Sequence, residues 1–280
     1  MKSQISGPSQ RLKIFVCFGL ALAVSLAGCG KLKSVYDFLR NPHRSAKTSS
    51  PSTAMHPGAG PRLAIILDDL GGDDSAATVD GIFALDYPLT LSVLPNHAHS
   101  AEIASEAHRR GYQILLHLPM ESVGNEIPES RELRPGMSTS EISRDLKEML
   151  DSVPYAAGVN NHQGSRATSD PQLMNELMPL LRSENLFFID SRTTAATVAY
   201  DTARSDGVRA AFRNVPFLDD VRDVNAIRHQ LSRAFKDARE KGEAIAIGHP
   251  HTETLRALGE TLPEAQAAGV RLVHVSELAH

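Results

Sequence analysis

The chain has 280 residues, enough for one large domain with a tail or for two small domains. Charged residues make up 22% of it and hydrophobic residues 41%, an ordinary balance for a folded, water-facing protein. A formal charge of -4 offers no basic face to a polyanion, which argues against a nucleic-acid partner.

The first thirty residues differ from the rest. Lys2, Arg11 and Lys13 precede an apolar run from Ile14 to Ala27. That run is shorter than the roughly 20 residues needed to span a bilayer and fits the core of an export signal. It ends in Leu26-Ala27-Gly28-Cys29. Small residues before a cysteine resemble the lipobox of bacterial lipoproteins, in which cleavage leaves the cysteine lipidated at the new N-terminus. An uncleaved signal anchor is the alternative. Residues 1–28 are therefore expected to be a lipoprotein signal peptide, with Cys29 as the lipidation site. The mature protein is expected to be membrane-anchored in the cell envelope, on the periplasmic side. Only Cys17 and Cys29 exist, and both lie in this segment, so the folded part must hold together without disulfides. Residues 29–61 read as a flexible tether, because Asn41 to Pro61 is rich in Ser, Pro, Gly, Thr and Ala and has almost no large apolar residues. Within it, Val35, Tyr36, Phe38 and Leu39 suit a short membrane-proximal helix.

A globular domain is expected over residues 62–280. Short apolar runs recur at Leu63–Leu67, Leu89–Leu94, Tyr112–Leu116, Ala156–Asn160, Leu186–Ile189, Val208–Phe212, Ala244–Ile247 and Arg271–Val275. Each is bounded by turn residues, as buried parallel strands are. Helical patterns lie between most of them. Ser138 and Glu141 form a capping box ahead of Ile142, Leu146, Leu150 and Val153. Asp170-Pro171 opens another helix. A third runs from Asp223 to Lys241 and is closed by Gly242. Strands alternating with helices in this way predict a closed or nearly closed (β/α) barrel of seven to eight parallel strands, with an open doubly wound sheet as the alternative. No glycine-rich phosphate loop follows any strand.

Polar residues recur just after the apolar runs: Asp68-Asp69, His117, Asn160-Asn161-His162, Asp190-Ser191, Arg213 with Asp219, and Gly248-His249-Pro250. In parallel α/β folds the carboxyl ends of the strands converge on one face, so these groups should meet. Of two adjacent aspartates at a strand end, one can bind a metal and the other can act as a base. His117, His162 and His249 are the best further ligand candidates. One carboxylate, two imidazoles and an open position suit a catalytic zinc site. His97, His99 and His251 also follow strands and are weaker candidates, whereas His274 reads as structural.

At these residues the chain resembles the divergent polysaccharide deacetylases, relatives of the carbohydrate esterases with a distorted β/α barrel. The resemblance runs from Arg62 to Leu278 and is carried by Leu67-Asp68-Asp69-Leu70-Gly71, Leu94-Pro95, His117-Leu118-Pro119-Met120-Glu121, Gly158-Val159-Asn160-Asn161-His162-Gln163-Gly164-Ser165, Phe188-Ile189-Asp190-Ser191, Phe217-Leu218-Asp219 and Gly248-His249-Pro250. It implies removal of acyl groups from a carbohydrate with the help of a divalent metal, zinc above others. By the same resemblance Asp68 is the general base, Asp69 and His117 are metal ligands and His249 is the general acid, with Asp190 or Asp219 orienting His249. The family's usual second histidine is Glu121 here, so His162 is expected to replace it, with Glu121 as the rival ligand. The usual arginine after the fourth strand is missing, and Arg213 is the candidate substitute. There is no tryptophan, which leaves Tyr87, Tyr155 or Phe217 to stack on a sugar. The rival function is a non-catalytic envelope protein that binds glycan or a partner through the same cleft.

Overall fold

A computed structural model describes residues 60–72, 76–124 and 126–280. The expected signal peptide, Cys29 and the tether up to residue 59 lie outside the described residues. Eight parallel strands run in chain order: β1 (Arg62–Leu70), β2 (Thr90–Val93), β3 (Gln113–Met120), β4 (Ala156–Gln163), β5 (Phe187–Asp190), β6 (Ala210–Phe212), β7 (Glu243–Gly248) and β8 (Arg271–Leu272). The helices are α1 (Ala76–Phe83), α2 (Ser100–Arg109), α3 (Thr139–Ser152), α4 (Pro171–Ser183), α5 (Ala199–Ser205), α6 (Val224–Lys241) and α7 (Thr252–Ala267). Among the described residues no helix is long and apolar enough to cross a membrane.

The strands pair in the order β6-β5-β4-β3-β2-β1-β7, and β8 pairs with the start of β1. This is a nearly closed barrel of seven strands. Among the described residues no ladder joins β6 to β7. The loop after β6 crosses that gap instead, with Asn214 N donating to Ile245 O at 3.0 Å, Ile245 N to Asn214 Oδ1 at 2.6 Å and Leu218 N to Ile247 O at 2.8 Å.

Period-two alternation builds two cores. Leu63, Ile65 and Leu67 of β1 face the surrounding helices, whereas Ala64 and Ile66 point into the barrel with Leu115, Phe187, Ile189, Ile245 and Ile247. Val273, Val275, Leu278 and Ala279 complete the inner cluster. They enter at the amino ends of the strands, where Val273 N bonds Leu63 O at 3.0 Å and Val275 N bonds Thr90 Oγ1 at 3.1 Å. Gly158 leaves room for this packing, since a Cβ there would lie 2.6 Å from the Phe187 ring.

The helix signals act as their local chemistry predicts. Ser138 and Glu141 cap α3 reciprocally, the Asp170 side chain accepts from Leu173 N at the start of α4, and Asp223 caps α6. Gly242 ends α6 at φ +90, a conformation that favours glycine. The strands differ from expectation at their ends. β1, β3 and β4 extend three to four residues beyond their apolar runs, so the polar residues lie within strands rather than after them. β8 stops at Leu272, because the chain turns inward there to fill the barrel. His274 therefore precedes a 3-10 turn, Val275–Glu277, instead of alternating within a strand.

Candidate metal centre

Along each inward-facing stripe the apolar residues give way to polar ones two positions further on. Ile66 is followed by Asp68, Leu115 by His117, Ile189 by Ser191 and Ile247 by His249. Strict alternation would send Asp69 outward, against the helices. Instead the β1–β2 register shifts between Leu67 and Leu70, and Asp69 adopts φ +64 in the left-handed region. This irregularity turns both neighbouring carboxylates toward one cleft.

Asp69 Oδ1 lies 3.0 Å from His117 Nε2 and 2.9 Å from His162 Nδ1, and the two nitrogens are 3.2 Å apart. Asp69 Oδ1 is buried, yet no well-aligned hydrogen bond reaches it. The three atoms thus form a triangle of potential metal donors, in which the two imidazole nitrogens are within hydrogen-bond distance of each other and Asp69 Oδ1 lacks an aligned donor. Its edges approach the spacing of about 3.3 Å that tetrahedral zinc imposes on ligands roughly 2.0–2.1 Å from the metal. Electrostatics also favour a cation here. Burial by itself would raise the pKa of Asp69, but His117 and His162 hold it far below the usual carboxylate range. Burial by itself would lower that of His117, but Asp68 and Asp69 shift the balance upward. The residues therefore fit a divalent ion.

Asn160 fixes this arrangement. It is fully buried, and its Oδ1 accepts from Ser92 Oγ and, at 3.1 Å, from His117 Nδ1. An amide oxygen only accepts, so His117 keeps a proton on Nδ1, which leaves Nε2 as the atom available to ligate beside Asp69. Asn160 Nδ2 donates to Asp68 Oδ1 at 3.0 Å and to Ser191 Oγ at 3.2 Å. Asp68 is 2% exposed, and burial pushes its pKa up.

His249 stands on the opposite side, with Nε2 3.5 Å from Asp69 Oδ2. Its Nδ1 lies 2.9 Å from Asp219 Oδ1, while Asp219 Oδ2 accepts from His249 N at 2.6 Å and from Thr254 Oγ1 at 2.9 Å. Burial opposes the charged imidazole, but Asp219 and Asp69 prevail and raise its pKa to about 9. These groups border a cleft of about 310 Å³, which Ser122, Glu126, Gln163 and Phe217 also line.

The remaining sequence candidates lie elsewhere. Glu121 pairs with Arg166 at 3.3 Å, so His162 rather than Glu121 joins Asp69 and His117. Asp190 accepts from Arg192 N and Thr197 Oγ1, both at 2.8 Å, which leaves Asp219 as the carboxylate on His249. The Arg213 guanidinium donates to the carbonyls of Ser191, Arg192 and Val215, and it lies 4.0 Å from the centre of the Phe217 ring. It braces the cleft wall. Of the aromatic candidates only Phe217 lines the cleft. Tyr87 and Tyr155 precede β2 and β4 and so sit at the opposite, amino end of the barrel. His97 and His99 pair with Glu129 and Glu102. Sequence reasoning assigned no role to Asn160, Ser92 or Thr254; a buried Asn-Asn pair in a strand was the available signal.

Residues 65–279 match the divergent polysaccharide deacetylase family. YibQ of Escherichia coli (strain K12) is 41% identical over 197 residues, 70% of this chain and 61% of YibQ. The chain thus spans less than two thirds of that relative. A Haemophilus influenzae protein is 38% identical over 213 residues, 74% of each chain. Among solved structures, protein ATU2773 from Agrobacterium tumefaciens C58 has a TM-score of 0.74 at 24% identity, covering 80% of this chain and 91% of that one. BA3943 from Bacillus anthracis, described as a CE4 family pseudoenzyme, has a TM-score of 0.52 at 12% identity, covering 80% and 67%. At such identities the two structures share the fold. With the family match spanning the barrel from β1 to its C-terminal segment, the chain belongs to the divergent polysaccharide deacetylase family.

Proposed function

We propose that this protein is a metal-dependent hydrolase that removes acetyl groups from a carbohydrate of the cell envelope. One observation carries the reading. The convergent Asp69, His117 and His162 donors are flanked by a buried carboxylate, Asp68, and by an imidazole braced on its own carboxylate, His249 on Asp219. When bound, a divalent ion, zinc by the nature of these donors, supplies Lewis acidity to the acyl carbonyl. Asp68, whose charge burial disfavours, takes the proton of the attacking water. His249 carries a proton at neutral pH and gives it to the leaving amine or alkoxide. Phe217 offers the cleft's apolar wall to a sugar face. Cys29 holds the protein to the membrane by its lipid, a role that rests on the sequence alone; Cys29→Ala is expected to leave export intact and abolish acylation.

The test separates ligands from proton carriers. Asp69→Ala and His117→Ala should lose the tightly held ion while remaining folded. Asp68→Asn and His249→Ala should retain it, yet lose turnover of an acetylated glycan by about 10²–10⁴-fold. The competing reading is a glycan-binding protein without turnover, a reading to which the pseudoenzyme described among the fold neighbours lends weight. It prevails if the metal-loaded wild type is inert on N- and O-acetylated glycans and the Asp68→Asn variant binds them equally well.

A further inference from the structure

His251 has no part in the proposed chemistry, yet the structure places it in a second group of metal-ligating side chains. Asp219, His249 and His251 each present one ligand atom, and all three atoms lie within 4.8 Å of one another. Pro250 separates the two histidines, and His251 N bonds back to His249 O at 2.8 Å. This tight turn stacks the rings, with centroids 5.7 Å apart and planes 28° apart. His251 precedes α7, but its side chain does not cap that helix.

We propose that Asp219, His249 and His251 form a second, weaker site for a divalent transition-metal ion such as zinc, and that filling it inhibits the protein. Geometry gives the order of affinity. The Asp69, His117 and His162 donors stand 2.9–3.2 Å apart and are held by Asn160, whereas in the second group His249 Nδ1 and Asp219 Oδ1 are already hydrogen-bonded to one another at 2.9 Å, a pairing that an ion must displace. Chemistry gives the consequence. An ion bound to His249 occupies the lone pair that otherwise carries its proton and competes for the Asp219 carboxylate that braces it. The inhibitory part of this proposal rests on the deacetylase reading; the site itself does not.

Calorimetric titration of zinc into the metal-stripped full chain tests the site without any substrate. The wild type is expected to show two binding events, the second weaker. His251→Ala and His251→Gln should keep the first event and lose the second, and Asp69→Ala should do the reverse. Two variants at position 251 separate the loss of a ligand from a folding defect. A wild type that saturates after one event, or a second event undiminished in both His251 variants, overturns the proposal. Where glycan turnover is measurable, excess zinc should inhibit the wild type and spare His251→Gln. Equal inhibition of both overturns the inhibitory role while leaving the deacetylase reading intact.

Discussion

At the residue scale, Asn160 concentrates the dependence of the site on its surroundings. Its amide receives from Ser92 and His117 and donates to Asp68 and Ser191, so one side chain positions the proposed ligand and the proposed proton carrier together. In Asn160→Ala the buried Asp68 loses a donor and the His117 proton loses its acceptor. The variant is expected to be less stable by about 1–3 kcal/mol, the cost of leaving buried polar groups unpaired. Its metal affinity should fall by about 10–100-fold, as when a partner of a metal ligand is removed. Denaturant unfolding of the metal-free protein and competition with a chelator measure the two effects separately. The sequence made Asp68, Asp69, His117 and His249 conspicuous because charged or ionisable groups at strand ends are rarely neutral in meaning. It named Asn160 among the polar residues but not what Asn160 does, because an asparagine's role depends on four partners drawn from distant strands and loops.

At the element scale, what is local was readable and what is tertiary was not. Caps such as Asp223 follow from backbone chemistry within a single turn, where the Asp223 side chain accepts from Asn225 N and Ala226 N, both at 3.0 Å. Asp223→Ala should therefore lower stability by about 1 kcal/mol and leave metal content unchanged, as thermal unfolding with metal analysis would record. The lengths of β1, β3 and β4 were hidden, because polar residues inside a strand read as its end. Tyr112, just ahead of β3, shows how elements are tied together. Its hydroxyl donates to Leu85 O at 2.8 Å and Ile82 O at 3.2 Å, closing the end of α1. Burial, aided by Asp86, raises its pKa in the folded state. The protonated hydroxyl thus contributes stability that is fully present below the unfolded value of about 10 and is lost as pH rises through the higher folded one. Tyr112→Phe should be less stable at neutral pH by about 0.5–1.5 kcal/mol and should show a shallower alkaline decline, measured by urea unfolding across pH.

At the scale of the whole molecule, the pattern of runs predicted a barrel, but not where it fails to close. That information lies in Asn214, whose side chain takes the place of a missing strand neighbour by accepting from Ile245 N. Asn214→Ala leaves that amide unpaired and should cost about 1–3 kcal/mol, read as a lower urea midpoint with an unchanged slope. The filling of the amino end by Val273, Val275, Leu278 and Ala279 was equally invisible, since Val273 and Val275 stand inside the last apolar run, Arg271–Val275, and so read as strand. It has a consequence for traffic. Among the described residues the barrel is a cup and not a tube: its amino end is filled, and a cleft opens above Asp69 and His249. If the proposed glycan is the substrate, it cannot be threaded through; each unit would be presented sideways at the rim and withdrawn by the route it entered, so a bulky molecule lodged at that rim would block arrival and departure alike.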